Sequence, residues 1–293
     1  MRAAADLRRG PARWALVLPL VIFLGVFFLV PVALMGVFSF RPSLRGGVAN
    51  WDWDPVLDHY RTIAASESFL PLLGKSVLIA LLVGVVATTL AYPVAYFLAF
   101  RAGRKAGLLL TILIIPFWVS YLLRIISWKV LLGPTGAINS FLAWLGLIDQ
   151  PVTILLYSRT AVVITLVYVW LPFVALPIYA TMLRIDRRLL EAASNLGAPP
   201  ATAFRRVTLP LSLPGVAAAF LMVFIPTVGE YVAPLLVGGS QGALYGNIIE
   251  IFFGDGINWP LGSALAMVMA VGILALLFVL TRTRPVRRLL DDL

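Results

Sequence analysis

The chain has 293 residues, of which 61% are hydrophobic and only 12% charged, and its mean hydropathy is +0.98. A water-soluble domain cannot hide that much apolar surface, so the sequence is that of an all-α integral membrane protein. The net charge of +10 sits in short loops beside apolar runs, which is the positive-inside pattern and not the footprint of a nucleic-acid binder. Without cysteine there are no disulfides, thiolate metal sites or cysteine nucleophiles.

Arg2, Arg8, Arg9 and Arg13, set against Asp6, precede an apolar run at about 14–40. That run is too long for a signal-peptide core and shows no small-residue cleavage site, so it reads as a first span with its N-terminus in the cytoplasm. A polar excursion at 41–70, with Asp52, Asp54, Asp58 and Glu67, then belongs outside. Two readings stand open for it: contact with an external partner, or a lid over the spans. The only histidine, His59, lies here as a loop residue and cannot build a histidine-rich metal site.

The second span, about 72–100, is followed by Arg101, Arg104 and Lys105, a basic cytoplasmic turn. Gly74-Lys75-Ser76 looks like the end of a phosphate-binding loop. Phe69, however, stands where the first glycine is needed, and the stretch opens a span instead of following a strand, so no nucleotide site is read there.

The third span, about 107–132, contains Pro116 and carries Tyr121, Arg124, Trp128 and Lys129 toward its outer end, where the two cations either snorkel or line a path. Ile138, Phe141, Leu142, Leu145 and Ile148 then recur at helical spacing, as in a short helix lying on the outer surface. A fourth span at about 160–183, with Pro172 and Pro177, returns to the cytoplasm at Arg184, Arg187 and Arg188. The fifth, about 213–237, contains Pro226, Gly229 and Glu230, and an outer loop with Glu250 and Asp255 follows. The sixth, about 259–280, ends at Arg282, Arg284, Arg287 and Arg288. The expectation is one domain, 1–293, of six transmembrane helices with both termini cytoplasmic.

Interior proline recurs in these spans, and it frees carbonyls and allows kinked helices to surround a cavity. Glu230 is the more informative residue. At roughly 1.5 Å per residue it lies about 25 Å into the fifth span, where an ionised carboxylate needs water, a cation or a positive partner. It either contacts a cation on a translocation path or pairs with Arg124 or Lys129.

Between the fourth and fifth spans lies a polar, basic island, 185–210. Asp186 caps a helix start, and Leu189, Leu190, Ala193, Leu196 and Gly197 form one apolar stripe. Gly197 turns the chain, Pro199 and Pro200 stop the helix, and a second short helix over 201–207 carries Phe204 beside Arg205 and Arg206. The product is a helix-turn-helix elbow at the membrane surface, suited to a groove in another protein. An ordinary amphipathic helix lying on headgroups is the alternative.

Glu191-Ala192-Ala193, followed by Gly197 and then Leu209-Pro210, resembles the EAA loop of ABC importer permease subunits. The resemblance implies that Glu191, Ala192, Ala193 and Gly197 couple to a cleft of a cytoplasmic ATPase. Phe224-Ile225-Pro226-Thr227-Val228-Gly229-Glu230-Tyr231-Val232-Ala233-Pro234-Leu235-Leu236-Val237-Gly238-Gly239 and Trp128-Lys129-Val130-Leu131-Leu132-Gly133-Pro134-Thr135-Gly136-Ala137-Ile138-Asn139 resemble spermidine/putrescine-type permeases, the first of their two permease subunits.

The fold implied is that of type I importer permeases, in a bacterial inner membrane. The partners implied are an ATPase dimer, a second and different permease subunit, an extracytoplasmic solute-binding protein and the lipid membrane, with no nucleic acid. The chain itself is expected to hold no cofactor and no metal and to catalyse nothing, ATP and Mg belonging to the ATPase. Tyr121, Trp128, Glu230 and Tyr231 are the expected substrate-path residues. Ferric ion, an opine, a phosphonate or thiamine are the other solutes that the same layout accommodates. A stand-alone secondary transporter is the competing class; it lacks a visible inverted repeat here and has no use for the elbow. An intramembrane hydrolase lacks the histidine it needs within the spans.

Overall fold

Apolar sequence in runs longer than 18 residues leaves the backbone one way to satisfy its hydrogen bonds in lipid, and the chain takes it: helix follows helix. The computed structural model describes residues 12–43, 55–152, 155–255 and 258–282. Arg2, Asp6, Arg8, Arg9, Asp52, Asp54, Arg284, Arg287 and Arg288 therefore lie outside the described residues.

In chain order, α1 (Ala12–Leu24) passes through a π-helical turn, Gly25–Leu29, into α2 (Val30–Phe38). Next come α3 (Asp58–Ala65), α4 (Phe69–Phe100), α5 (Ala106–Ile114), α6 (Tyr121–Leu132), α7 (Ala137–Trp144) and α8 (Arg159–Leu183). The elbow supplies α9 (Arg187–Asn195) and α10 (Pro200–Ala203), and a second π-helical turn, Phe204–Thr208, leads into α11 (Leu209–Val228). A third π-helical turn, Pro234–Gly238, precedes α12 (Gly239–Gly242), α13 (Tyr245–Phe253) and α14 (Trp259–Arg282).

Among the described residues five helices are long and apolar enough to cross a membrane, and a bent pair makes up to six. Two of the expected spans differ from the sequence reading. The third, 107–132, is broken: one arm, Gly103–Trp118, closes in a 3-10 turn over Ile115–Trp118, and beyond extended Val119 a second arm, Tyr121–Trp144, sets off at 89° to it. Pro116, which has no amide to donate, lies in the 3-10 turn at this break, although Pro172 and Pro177 are carried within the unbroken α8. The fifth, 213–237, is displaced: its helix runs unbroken from Pro200 to Val228, so the second helix of the elbow is the start of the span itself. It ends at Val228, with Gly229 as its C-cap, short of the expected outer limit of 237.

Packing divides the chain into two units, one of residues 1–66 with 249–271 and the other of 67–248 with 272–293. In the larger, α4, α8 and α11 pack on one another. Small residues allow the close approach: Ala80, Val83, Gly84, Ala87, Ala91 and Ala95 form a buried stripe along α4 at helical spacing. A Cβ on Gly84 would stand 2.7 Å from the Phe220 ring, and one on Gly215 would collide with Thr181 of α8. Leu166, Ile178, Met182, Ala219 and Val223 complete this core.

In the smaller unit the helix through Val17–Phe38 buries none of its apolar window, and Phe27 and Phe28 are exposed. The polar excursion folds back at its far end. His59 donates from Nε2 to the Arg41 carbonyl at 2.9 Å, and Tyr60 donates to Ser39 at 2.8 Å. His59 is thus part-buried and structural instead of a free surface residue.

Candidate functional site

The elbow is built by local rules. Asp186 accepts from the Arg188 amide at 2.9 Å and opens α9. At the other end Ala198 N–H reaches the Ala193 carbonyl at 3.0 Å and Gly197 N–H the Ser194 carbonyl at 2.9 Å, the two bonds of a Schellman turn. That turn needs a left-handed residue, and Gly197 supplies it with φ +78°.

Glu191 and Ala192 lie exposed on α9, and Ala193 is half-buried. Leu196 at the tip is 88% exposed and Leu189 also faces out, so the apolar stripe is not consumed by the chain's own packing. On the inner side Phe204 sets its ring edge-on to Tyr92 at 5.9 Å and to Tyr96 at 5.8 Å, both on α4. Tyr92 also hydrogen-bonds Ser212 of α11 at 2.9 Å. The end of the elbow is therefore seated on α4, and Tyr92 ties that contact to α11.

The second site lies where α11 stops. Glu230, half-exposed, follows the terminating Gly229, and its Oε1 accepts from the amides of Val232 at 2.8 Å and Ala233 at 3.2 Å. It caps the helical stretch that begins again there. Its Oε2 accepts from the Tyr121 hydroxyl at 2.5 Å. Tyr121 is the first residue after the kink in the broken span, so two breaks in two different spans meet at one hydrogen bond. Tyr231 beside it is 43% exposed, and its carbonyl is held by Asn247 at 2.8 Å.

Gly246 lies against the same turn: a Cβ there would come within 2.5 Å of the Gly229 carbonyl oxygen and 2.8 Å of that of Glu230. Lys75 fixes the far side, donating to the carbonyls of Gln241 at 2.6 Å and Ala243 at 2.8 Å. Its role is to hold backbone, in keeping with the rejected phosphate loop.

Of the expected path residues, the structure brings Tyr121, Glu230 and Tyr231 together and places Trp128 apart. Trp128 packs edge-on to Tyr168 at 5.3 Å, in a cavity whose one charged group is Arg124. No ion pair joins Glu230 to Arg124 or Lys129 among the described residues, which removes the pairing considered for the carboxylate. Arg124 instead stacks over Phe117 at 4.6 Å. Asn247, Gly246 and Lys75 were not expected at this site. They come from segments distant in sequence, and no local pattern marks them.

The sequence matches the family described as binding-protein-dependent transport system inner membrane component over residues 91–290, a stretch that contains both the elbow and Glu230. It is 38% identical over 224 residues to the spermidine/putrescine transport system permease protein PotB of Escherichia coli K12, covering 76% of this chain and 81% of that one. The Haemophilus influenzae PotB is 39% identical over 213 residues, 73% of this chain and 72% of its own. In fold, the chain is similar to a crystal structure of a bacterial ABC transporter that imports the acidic polysaccharide alginate, with TM-score 0.76, 20% identity and coverage of 98% and 99% of the two chains. The chain belongs to the family of binding-protein-dependent transport system inner membrane components and is a permease subunit of an ABC importer, a transport protein and not an enzyme.

Proposed function

We propose that this permease moves polyamines, spermidine and putrescine, into the cytoplasm. The observation that carries the reading is Glu230: a half-exposed carboxylate at a helix break in the membrane, held by Tyr121 and flanked by exposed Tyr231, with no cationic side chain paired to it among the described residues. An amine solute supplies the positive partner that such a carboxylate lacks, and aromatic faces favour ammonium groups. The names of the PotB relatives support the same solute.

In the assembly this chain stands beside a second, different permease subunit, with an ATPase dimer on the cytoplasmic side and a soluble binding protein outside. Glu191, Ala192, Ala193 and Gly197 dock on the ATPase, which holds ATP and Mg. The elbow then carries nucleotide-driven closure to α4 and α11. Both termini face the cytoplasm, an orientation supported by the basic residues of the connections, Arg101, Arg104, Lys105, Arg184, Arg187 and Arg188.

The test is uptake of labelled spermidine and putrescine by cells lacking this chain, with and without its re-expression. Loss of uptake that re-expression restores is the expected result. Unchanged uptake in a strain with no other polyamine importer excludes polyamines as the solute.

A further inference from the structure

The cavity beside the kink has a charge without a counter-charge. Arg124 is 8% exposed, its Nε is buried without a hydrogen-bond partner, and no carboxylate pairs with it among the described residues. Around it Pro116, Val119, Ser127, Trp128, Leu131 and Tyr168 line a partly open cavity of about 250 Å³. The Ser127 hydroxyl is already given to the Leu123 carbonyl at 2.8 Å. Phe117 and Tyr121 lend ring faces to the guanidinium at 4.6 and 5.8 Å, which lessens the burden of a buried cation but supplies no acceptor for its N–H groups. A guanidinium in a membrane segment stays charged and costs several kcal/mol until it is paired.

The sign of the charge excludes a polyamine from this cavity, and the surroundings select among anions. One helical stripe over from Arg124, Leu123, Ser127 and Val130 recur at i, i+4 and i+7, and Leu123 and Val130 are 54% and 66% exposed. Trp118, before the kink, is 88% exposed. A small anion coming from water would have to shed its hydration to cross this apolar face. A carboxylate carried on an apolar helix arrives already flanked by side chains that match the face.

We propose that the Arg124 cavity is a contact site for the second permease subunit, which inserts a side-chain carboxylate from one of its own membrane helices to pair with Arg124. The proposal rests on the reading that a second permease stands beside this chain. The pair fixes the register of the two subunits next to the Tyr121–Glu230 bond, so that assembly of the heterodimer and alignment of the path are one event.

The experiment uses the full chain with an affinity tag, produced together with the second permease and the ATPase of the same importer. A photo-crosslinking p-benzoylphenylalanine placed at Leu123 or Val130 is expected to capture the second permease. Arg124→Gln is expected to lower recovery of that subunit by about tenfold or more, and Arg124→Lys to retain most of it.

A second measurement separates pairing from a merely structural role. In the detergent-solubilised full chain alone, Arg124→Gln removes an unpaired charge and is expected to leave the melting temperature unchanged or raised, opposite in direction to its effect on assembly. Crosslinks to lipid or to the binding protein alone, or undiminished recovery with Arg124→Gln, overturn the proposal. So does a melting temperature that falls in the isolated chain while assembly is unaffected. A wild-type chain that recovers no second permease fails the assembly reading itself, and is distinguished from these outcomes by the wild-type lane.

Discussion

Tyr121 and Glu230, 109 residues apart in sequence, are joined by a hydrogen bond of 2.5 Å at the point where two membrane segments break. One break lies at Val119, just past the turn that holds Pro116, and the other at Gly229. The bond ties the two together, while Oε1 of the same carboxylate satisfies the amides of Val232 and Ala233.

Glu230→Gln separates charge from structure at this junction. The amide oxygen of glutamine still accepts from the two backbone amides, so the cap persists and the protein is expected to accumulate normally. What is lost is the negative charge. For a cationic solute the expected result is a rise in KM for uptake of about tenfold or more, since a charge-assisted contact contributes roughly 1.5–3 kcal/mol. Glu230→Ala removes the cap as well and lowers stability by a further ~1 kcal/mol. An unchanged KM with Glu230→Gln removes Glu230 from the path.

Gly246→Ala tests whether the turn must be held. The added methyl would stand 2.5 Å from the Gly229 carbonyl oxygen and 2.8 Å from that of Glu230, and these are backbone atoms with little room to yield. Overpacking of this kind costs about 1–3 kcal/mol. The expected outcome is a lower melting temperature in detergent together with reduced uptake, because Glu230 moves with the turn. Asn247→Ala, which frees the Tyr231 carbonyl instead of crowding it, is expected to act in the same direction and less strongly.

The helices, the elbow and its caps were legible from sequence because each is set by neighbours a few residues apart. Asp186, Gly197 and the Pro199-Pro200 pair all act where the spacing placed them. The limits of the third and fifth spans were not, since hydropathy continues unbroken through residues that the backbone cannot carry as helix. Val119 and Val232 are as apolar on the far side of each break as the helices before it. Glu230, Tyr121 and Tyr231 stand out in sequence as a charge and aromatics within apolar runs, but that the first two meet depends on packing between residues 109 apart, which no local pattern encodes, and Trp128, on the same arm as Tyr121, packs against Tyr168 instead. His59 and Lys75 looked like a loop residue and a failed motif. Both hold backbone carbonyls, partners that only the folded chain supplies.

Phe204→Ala addresses transmission through the elbow without touching its tip. The substitution removes two edge-on aromatic contacts, to Tyr92 and Tyr96, each contributing about 0.5–1.5 kcal/mol beyond buried area. The ATPase is expected to bind as before, because Glu191, Ala192 and Leu196 remain exposed, while transport per ATP hydrolysed falls. Ala192→Arg is expected to do the reverse in order of events: it crowds the docking face, so ATPase recovery falls first and uptake with it. If both variants copurify with full ATPase and transport at wild-type rates, the elbow is not the coupling element.

Lys75→Met isolates the clamp on the chain beyond Glu230. Lys75 and Arg159 share the Gln241 carbonyl, at 2.6 and 3.2 Å, and Lys75 also holds that of Ala243. Gly239, with φ +57°, makes the turn between them and the third π-helical turn, and a side chain there would strike Tyr157. Methionine keeps the apolar stem of lysine and removes only the donors, so the helix that carries it is undisturbed. Amide hydrogen exchange over 239–244 is expected to quicken in the variant, while exchange in the α4, α8 and α11 core stays as in the wild type. Faster exchange confined to 239–244 means that one lysine anchors the segment leading back to Gly246 and Asn247, and hence to Glu230. Equal exchange in the two proteins means that Arg159 alone suffices, and Arg159→Met is then expected to release the same segment.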